Sequence, residues 1–281
     1  MSGRARRLAP AAVLVAVVAA LLLPWPREIM LTAFQRRFLY FPIRDFIAAP
    51  ADYGFEREDV QLRTEDGLSI HAWWLPAPGA ERTVLFLHGN AGNVSYWVEA
   101  ATVFREVGWN TLLLDYRGYG RSEGEPTEEG TYLDAKAAWR HLSVDRGIDP
   151  SRILVVGRSL GGGVATWLAE HHPVAGLVLE ATFTSIADVV ATVMPVPGLR
   201  SFVRLGYPSL ERMPRLSAPL LVVHGRGDEL VPFSHGQALF NAAGGPKHFV
   251  ELRGGHNDAF AVSRGEYVAA LRGFEGRFGR E

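Results

Sequence analysis

The chain is predicted to fold as an α/β protein whose sheet is mainly parallel and is covered by helices on both faces. Two observations lead to this prediction. Short apolar segments of strand length alternate along most of the chain with longer helical segments, a pattern typical of βαβ units. The first two extended segments instead turn directly at Asp66-Gly67, which is typical of an antiparallel hairpin at the edge of a sheet.

Eight strands and five helices are predicted in chain order. The strands lie near Val60–Arg63, Ser69–Trp74, Thr83–Leu87, Asn110–Asp115, Ile153–Gly157, Gly176–Glu180, Leu220–His224 and Lys247–Leu252. The helices lie near Val94–Val107, Thr127–Arg146, Leu160–His172, Phe233–Ala243 and Ala259–Phe274. Parallel sheets bind ligands at the carboxyl ends of their strands, so we expect the functional residues at that edge.

The composition narrows the possible functions. The chain has 281 residues, of which 48% are hydrophobic, enough to bury a full core as one domain. A formal net charge of −1 gives no indication of nucleic-acid binding. The absence of cysteine excludes disulfides, thiolate zinc sites and cysteine nucleophiles, and the histidines show no metal-ligand spacing.

Ser159 is the candidate nucleophile. It lies in the segment Ile153–Gly163, between an apolar strand and a helix of small residues, with Gly157 and Gly161 on either side. The Gly-x-Ser-x-Gly pattern is typical of a tight strand-to-helix turn in which glycines allow close approach and the serine hydroxyl stands exposed. An ordinary glycine-rich turn would show the same pattern, but the flanking strand and helix favour a nucleophile.

A serine hydroxyl needs a base to become a nucleophile, and the base needs a group that orients it. Asp228 follows the predicted strand Leu220–His224, and His256 follows the last predicted strand, which gives the chain order Ser, Asp, His. We expect His256 to accept the serine proton and Asp228 to fix the tautomer of the imidazole. Glu180, at the end of its own strand, is the alternative acid.

Further motifs resemble those of α/β-hydrolase fold serine hydrolases. Thr83–Asn93 resembles the family's strand and His-Gly turn, and Leu112–Ser122 resembles its next strand and glycine-rich loop. The similarity extends from about Tyr53 to the C-terminus. Together with Phe38–Pro42, these motifs look like the membrane-associated branch that includes depalmitoylase-like hydrolases and serine-aminopeptidase-type domains. The resemblance implies an α/β-hydrolase fold with a mostly parallel eight-stranded sheet, helices on both faces and a small cap insertion.

The resemblance also implies an oxyanion hole formed by the backbone amides of Leu160 and Asn90. Leu160 opens a helix, whose first amides lack partners within the helix and whose dipole favours negative charge. The loop around Asn90 contains Gly89 and Gly92, and this freedom could instead direct the amide of Ala91 inward.

The alternation of strands and helices stops between Ala181 and Pro219, where the segment Met194–Gly198 contains two prolines. A cap insertion is therefore expected at about residues 182–217. A small apolar lid over Ser159 would favour an acyl chain or another hydrophobic group, whereas simple packing of this segment onto the core would carry no information about the substrate.

The N-terminus predicts a membrane anchor. A basic flank precedes an uncharged apolar run, residues 8–25, whose length is near the lower limit for a spanning helix. Residues 18–20 offer a small-residue cleavage site, but the apolar residues that follow favour an uncleaved anchor. The next segment, Ile29–Phe41, has apolar and aromatic residues together with Arg36 and Arg37 and is expected to lie along the membrane surface. The catalytic domain would then be outside the cytoplasm, in the periplasm or extracellular space, and secreted if the segment is cleaved.

These observations divide the chain into an N-terminal membrane anchor or signal segment (residues 1–28), a juxtamembrane segment (29–52) and an α/β-hydrolase catalytic domain (53–281). The predicted activity is hydrolysis of a carboxylic ester or thioester through an acyl-enzyme on Ser159, and this hydrolysis is predicted to need no metal and no organic cofactor. The expected partners are a small-molecule or lipid-like acyl substrate and the membrane, with no nucleic acid. The same triad would serve a peptidase, an amidase or an acyltransferase, and a non-catalytic membrane-tethered binding module is the alternative from another class.

Overall fold

The computed structural model describes residues 24–278. Ten strands lie in this part of the chain: β1 (Phe41–Pro42), β2 (Glu58–Arg63), β3 (Ser69–Leu75), β4 (Thr83–Leu87), β5 (Ala91–Gly92), β6 (Asn110–Leu114), β7 (Ile153–Arg158), β8 (Gly176–Glu180), β9 (Leu220–Gly225) and β10 (Lys247–Leu252). The α-helices of the same residues are α1 (Pro24–Leu39), α2 (Val98–Val107), α3 (Glu128–Arg140), α4 (Leu160–His171), α5 (Ile186–Val193), α6 (Ser209–Arg212), α7 (Phe233–Ala242), α8 (Ala259–Val262) and α9 (Arg264–Phe278).

The eight longer strands form one sheet with the order β10-β9-β8-β7-β4-β6-β3-β2, and β1 pairs separately with β5. Strand β3 runs antiparallel to both of its neighbours, and its register with β2 places Ala72 opposite Val60. The other neighbouring strands of this sheet are parallel. The predicted architecture, a mostly parallel eight-stranded sheet that begins with an antiparallel hairpin at its edge, is therefore confirmed.

Helices cover both faces of this sheet, as predicted. On one face, α3 and α4 contribute Ala138, Val164 and Leu168 to a core beneath the strands. On the other face, α2 and α9 bring Phe104 and Leu271 into a second core. The central strands are buried along their whole length because both of their faces meet helices, which explains why they are continuous apolar runs in the sequence.

Two predicted helices are interrupted in the structure. The helix predicted near Val94–Val107 begins with a separate 3-10 turn, Val94–Tyr96, ahead of α2. The helix predicted near Ala259–Phe274 is interrupted at Ser263, between α8 and α9. The hydroxyl oxygen of Ser263 accepts a hydrogen bond from the amide of Arg253 at 3.0 Å, which ties the interruption to the end of β10.

The prediction of a membrane-anchored protein with its catalytic domain outside the cytoplasm is wrong on the evidence of residues 24–278. None of the helices in this part of the chain is both long and apolar enough to cross a membrane. Over its described residues, Pro24–Leu39, helix α1 carries Arg36 and Arg37 in its last turn. The predicted apolar run, residues 8–25, and its cleavage site lie almost entirely outside the described residues.

Several residues between 31 and 52 contact the sheet and its loops, whereas the sequence had suggested that Ile29–Phe41 lies along a membrane surface. Tyr40 is buried, and its hydroxyl lies 2.8 Å from that of Tyr207. Strand β1 pairs in parallel with β5, in the loop after β4. Arg44 donates to the carbonyl oxygen of Ser122 at 2.7 Å. The prediction of membrane contact is not supported here, because Tyr40 and the backbone of β1 have partners within the protein. Other apolar side chains of the segment, such as Phe34, Phe38 and Ile47, stay largely exposed.

Candidate active site

Ser159 lies at the turn between β7 and α4 and has a positive φ. Its backbone angles are φ 52° and ψ −115°, a region that side-chain-bearing residues rarely adopt because Cβ meets the backbone. Its amide donates to the carbonyl oxygen of Glu180 at 2.9 Å, and its own carbonyl accepts from the Thr182 hydroxyl at 2.6 Å. These bonds hold the strained conformation, and the turn has the form of a strand-to-helix nucleophile elbow.

The glycines on either side of Ser159 are required by the close contact between α4 and the strands. A Cβ at Gly161 would overlap the carbonyl oxygen of Leu87 at the end of β4. A Cβ at Gly157 would overlap the backbone of Gly161. Helix α4 therefore lies close enough to the sheet to support the elbow because these two side chains are missing.

Gly161→Ala is expected to destabilise the fold by about 1–3 kcal/mol and to displace Ser159, because the added methyl group forces α4 away from β4. The matched control is Gly273→Ala in α9, where an added Cβ meets nothing within 4 Å. Alanine at that position should stabilise the helix by about 0.5–1 kcal/mol. Thermal unfolding of both variants measures the contrast, and a Gly161→Ala protein as stable as the wild type would contradict it.

The three predicted catalytic side chains meet at the carboxyl edge of the sheet. His256 Nε2 lies 3.1 Å from Ser159 Oγ, and His256 Nδ1 lies 2.8 Å from Asp228 Oδ2. Asp228 is in the loop after β9 and His256 is in the loop after β10. These two residues are only 7% and 8% exposed, so little water competes for the bonds. This arrangement can pass the serine proton to the imidazole while the carboxylate holds the ring.

Asp228 is surrounded by hydrogen-bond donors. Its Oδ1 accepts from the amides of Leu230 at 3.0 Å and Val231 at 2.7 Å, and its Oδ2 lies 3.3 Å from His224 Nε2. Burial raises the pKa of Asp228, but the bonds from His224, His256 and Val231 together outweigh burial and hold the pKa well below its ordinary value. Asp228 is therefore ionised at neutral pH beside the imidazole that it contacts.

Glu180, the alternative acid, has other partners. Its carboxylate accepts from the hydroxyl of Tyr267, and across residues 24–278 no hydrogen bond joins it to His256. Burial raises the pKa of Glu180 to about 7, and the charge of Arg158 lowers it only in part. The geometry therefore favours Asp228 over Glu180 as the partner of the imidazole.

Leu160 and Asn90, the predicted oxyanion donors, lie in the lining of the same cavity as the serine. Leu160 is the first residue of α4, so its amide has no acceptor within the helix. The carbonyl oxygen of Asn90 accepts from the Phe41 amide at 2.9 Å and from the Tyr119 hydroxyl at 2.7 Å. The orientation of this loop is therefore set in part by β1. Ala91, the alternative donor, lines the cavity as well.

Arg158 was not predicted to belong to the site, yet it supports the loop that carries His256. Its guanidinium lies between the rings of Trp97 and Phe260, 5.2 Å and 4.2 Å from their centroids. Nη2 donates to the carbonyl oxygen of His256 at 3.2 Å. In the sequence, the position of Arg158 next to the serine of the Gly-x-Ser-x-Gly pattern is the only indication that it belongs to the site. Its partners are distant along the chain, so no local pattern could identify them.

A cavity of about 810 Å³ opens over Ser159 and His256. The region predicted as the cap forms much of its lining, through α5 and the 3-10 turn Leu199–Phe202. Helix α1 forms another side of the cavity. No sequence pattern indicated this position, because the residues of α1 and of the cap that bond each other are 167 residues apart in the chain. The volume is in the range of small-molecule sites.

Comparisons with known proteins agree with this fold. A family model described as an alpha/beta hydrolase fold matches residues 82–205. An uncharacterised protein of Mycobacterium tuberculosis is 37% identical over 279 residues, which cover 98% of this chain and 97% of that protein. The alpha/beta hydrolase domain-containing protein WAV2 of Arabidopsis thaliana is 36% identical over 84% of this chain and 85% of its own. The solved structure of an esterase from Pyrococcus furiosus is 26% identical, with a TM-score of 0.71, and covers 85% of this chain and 99% of that one.

Proposed function

The chain belongs to the alpha/beta hydrolase family, and we propose that it is a serine hydrolase that cleaves carboxylic esters or thioesters through an acyl-enzyme at Ser159. The observation that carries the proposal is the hydrogen-bonded series from Ser159 Oγ through the imidazole of His256 to Asp228. A binding module would have no physical need for all three groups in this order. The esterase from Pyrococcus furiosus, with its similar structure, supports the same class of reaction.

Acylation begins when Ser159 Oγ attacks the carbonyl carbon of the substrate and His256 Nε2 accepts the hydroxyl proton. The carbonyl π electrons move onto oxygen, and the backbone amides of Leu160 and Asn90, or of the residue after Asn90, bind the resulting oxyanion. The tetrahedral intermediate then expels the alcohol or thiol, which takes the proton from His256. The carboxylate of Asp228 stabilises the imidazolium during these steps.

Deacylation repeats the sequence with water. His256 accepts a proton from the water molecule as its oxygen attacks the acyl carbon, and the same amides bind the second oxyanion. Collapse of this intermediate releases the carboxylic acid and returns the proton to Ser159 Oγ. Atoms and charges balance with the protein, the ester and one water, so the proposed mechanism uses no metal and no organic cofactor.

In this proposal the catalytic domain comprises residues 53–281, with the cap at about 182–217. The cap contributes α5 to the cavity over the serine. Residues 39–41 add to the site from outside this boundary, since the amide of Phe41 and the carbonyl oxygen of Leu39 both bond Asn90. The oxyanion loop therefore depends on contacts from the N-terminal part of the chain.

Treating the full chain with a fluorophosphonate probe and mapping the product by mass spectrometry is expected to place the label on Ser159. Only a serine with a neighbouring base should react at neutral pH, so the exposed Ser151 and Ser234 should stay unmodified. Heat-denatured protein is the control and should take up no label. A folded protein that does not react, or one labelled at surface serines alone, would overturn the serine hydrolase proposal.

A further inference from the structure

The cavity over Ser159 lies between two separate elements of the chain. On one side, Phe34, Phe38 and Leu39 of α1 line it. On the other side, the lining comes from the cap, through Ile186, Val189, Val190, Met194 and Phe202 among others. Both sides are apolar, and the reactive serine and histidine lie in the same cavity. A substrate held at the serine would therefore extend between α1 and the cap.

The cap helix α5 has apolar residues without a complete protein partner. Its sequence is rich in Val and Ala, and Ser185 is the N-cap that precedes its first residue. None of its residues is fully buried. Ile186 and Val189 touch the core only in part, and together with Val190 they line the cavity. A helix with an apolar stripe ordinarily buries it against the protein. Here the cavity lies where that partner would be.

Gln35 joins the two sides of the cavity. Its Nε2 donates to the carbonyl oxygen of Phe202 at 2.7 Å, and its Oε1 accepts from the amide of Arg204 at 2.8 Å. The side-chain amide thus pairs with the cap backbone at the end of the 3-10 turn Leu199–Phe202 and two residues beyond it. This pair of bonds sets the distance between α1 and the cap, and so the width of the cavity.

Several large apolar side chains at the cavity remain in contact with water. Phe34 and Phe38 are 60% and 66% exposed, and Met194, Phe202 and Leu230 are each at least 50% exposed. Exposed apolar side chains in one cluster indicate a binding site for an apolar group. The apolar lining also continues inward to the serine, so the group that binds there belongs to the molecule that reacts.

We propose that α1 is part of the substrate site and that the space between α1 and the cap binds the aliphatic acyl chain of the substrate. The substrate class is then an ester or thioester of a medium- or long-chain fatty acid, with its carbonyl at Ser159 and its chain along Phe38 and Val190. This inference rests on the proposed acyl transfer to Ser159 and adds to it the substrate class and the role of helix α1.

The first test is a series of 4-nitrophenyl esters, from acetate through butyrate and octanoate to dodecanoate, hydrolysed by the full chain. Each methylene group that enters the cavity should raise kcat/KM by about fourfold until the cavity is filled. The wild-type ratio of dodecanoate to acetate should therefore be large. A ratio near one, with acetate hydrolysed and Ser159 labelled by the fluorophosphonate, would overturn the acyl-chain site while the serine hydrolase proposal stands.

Val190→Trp tests the cap side, because the larger ring would occupy the cavity. The ratio of dodecanoate to acetate should fall by roughly ten- to a hundredfold. The matched control is Val144→Trp, since Val144 is 62% exposed and is not part of the cavity lining. That control should keep the wild-type ratio. An unchanged ratio in Val190→Trp would show that the chain binds elsewhere.

Gln35→Ala tests the α1 side without altering the apolar lining. Loss of its two bonds should let α1 and the cap separate, and the ratio of dodecanoate to acetate should fall by about tenfold, the effect of weakening contacts along part of the chain. Gln237→Ala on the exposed side of α7 is the control and should behave as the wild type. Equal ratios in the two variants would argue against α1 as part of the site.

Direct binding separates this inference from the catalytic proposal. Isothermal titration of dodecanoate into the full chain should show binding that Val190→Trp weakens and Val144→Trp does not. This result is expected whether or not esters are hydrolysed. Absence of binding to the folded wild type would overturn the acyl-chain site, whereas absence of both probe labelling and ester hydrolysis would overturn the proposed function.

Discussion

Ser159→Ala is expected to lower kcat for an ester substrate by about a millionfold. The alanine removes the atom that forms the acyl-enzyme, and His256 then has no hydroxyl group to deprotonate at 3.1 Å. The residual rate should reflect water attacking a substrate that is still bound and polarised by the oxyanion donors. A continuous assay with 4-nitrophenyl octanoate, at enzyme concentrations high enough to detect slow turnover, measures the change.

The control is Ser234→Ala, an exposed serine at the start of α7. It should hydrolyse the same ester at the wild-type rate. Circular dichroism and thermal unfolding must show that the Ser159 variant is folded. A folded Ser159→Ala protein with more than about one-hundredth of wild-type kcat would assign the nucleophile to another residue, because loss of a nucleophile costs far more than this.

Asp228→Asn is expected to lower kcat by about ten-thousandfold. An asparagine can still accept from the Val231 amide, but its NH₂ group faces the imidazole where the carboxylate accepted a bond. The ring of His256 then carries its proton on Nε2, the atom that must accept the proton from the serine. The imidazolium that forms during catalysis also loses its neighbouring negative charge.

Glu180→Gln is the matched control for Asp228→Asn. Glu180 bonds Tyr267, and glutamine keeps an oxygen that can accept from that hydroxyl. We expect this variant to stay close to the wild type in kcat. If Glu180→Gln instead caused the larger loss, the acid would be assigned to the strand end of β8 and the proposed role of Asp228 would be wrong. Measuring both variants with the same ester decides between the two acids.

Much of the fold could be predicted because each strand and its turn are specified locally. The segment Ile153–Gly157 is an apolar run of strand length, and it forms part of β7 between two layers of helices. The hairpin of β2 and β3 depends on Gly67 in its turn, which has a φ of 89° that other residues rarely adopt. Local signals of this kind do not depend on which distant segment packs against them.

The candidate site could be predicted for a topological reason. Parallel strands place their carboxyl ends at one edge, so residues that follow β7, β9 and β10 come together even though they are distant in the chain. The alternative at Glu180 stayed open because β8 ends at the same edge. Only the three-dimensional arrangement shows that Glu180 points to Tyr267 while Asp228 contacts the imidazole.

The contacts that no pattern predicted join distant segments through the backbone. Gln35 bonds the backbone of the cap, and Arg158 bonds the carbonyl oxygen of His256. Any residue can supply a backbone amide or carbonyl group, so the amino-acid types of the partner segment do not indicate such contacts. The membrane prediction failed for a related reason, because hydrophobic side chains such as Tyr40 are indistinguishable in sequence from membrane-facing ones until their partner is known.

At Ser159, selection for a stable fold and selection for the proposed reaction favour different residues. A side-chain-bearing residue at a φ of 52° costs about 1–3 kcal/mol, and glycine would relieve most of that cost. Selection for a robust fold alone would therefore replace the serine, and selection for turnover retains it. The proposed nucleophile therefore lowers the stability of the fold at its own position, and a lineage that lost the reaction would be free to gain stability there.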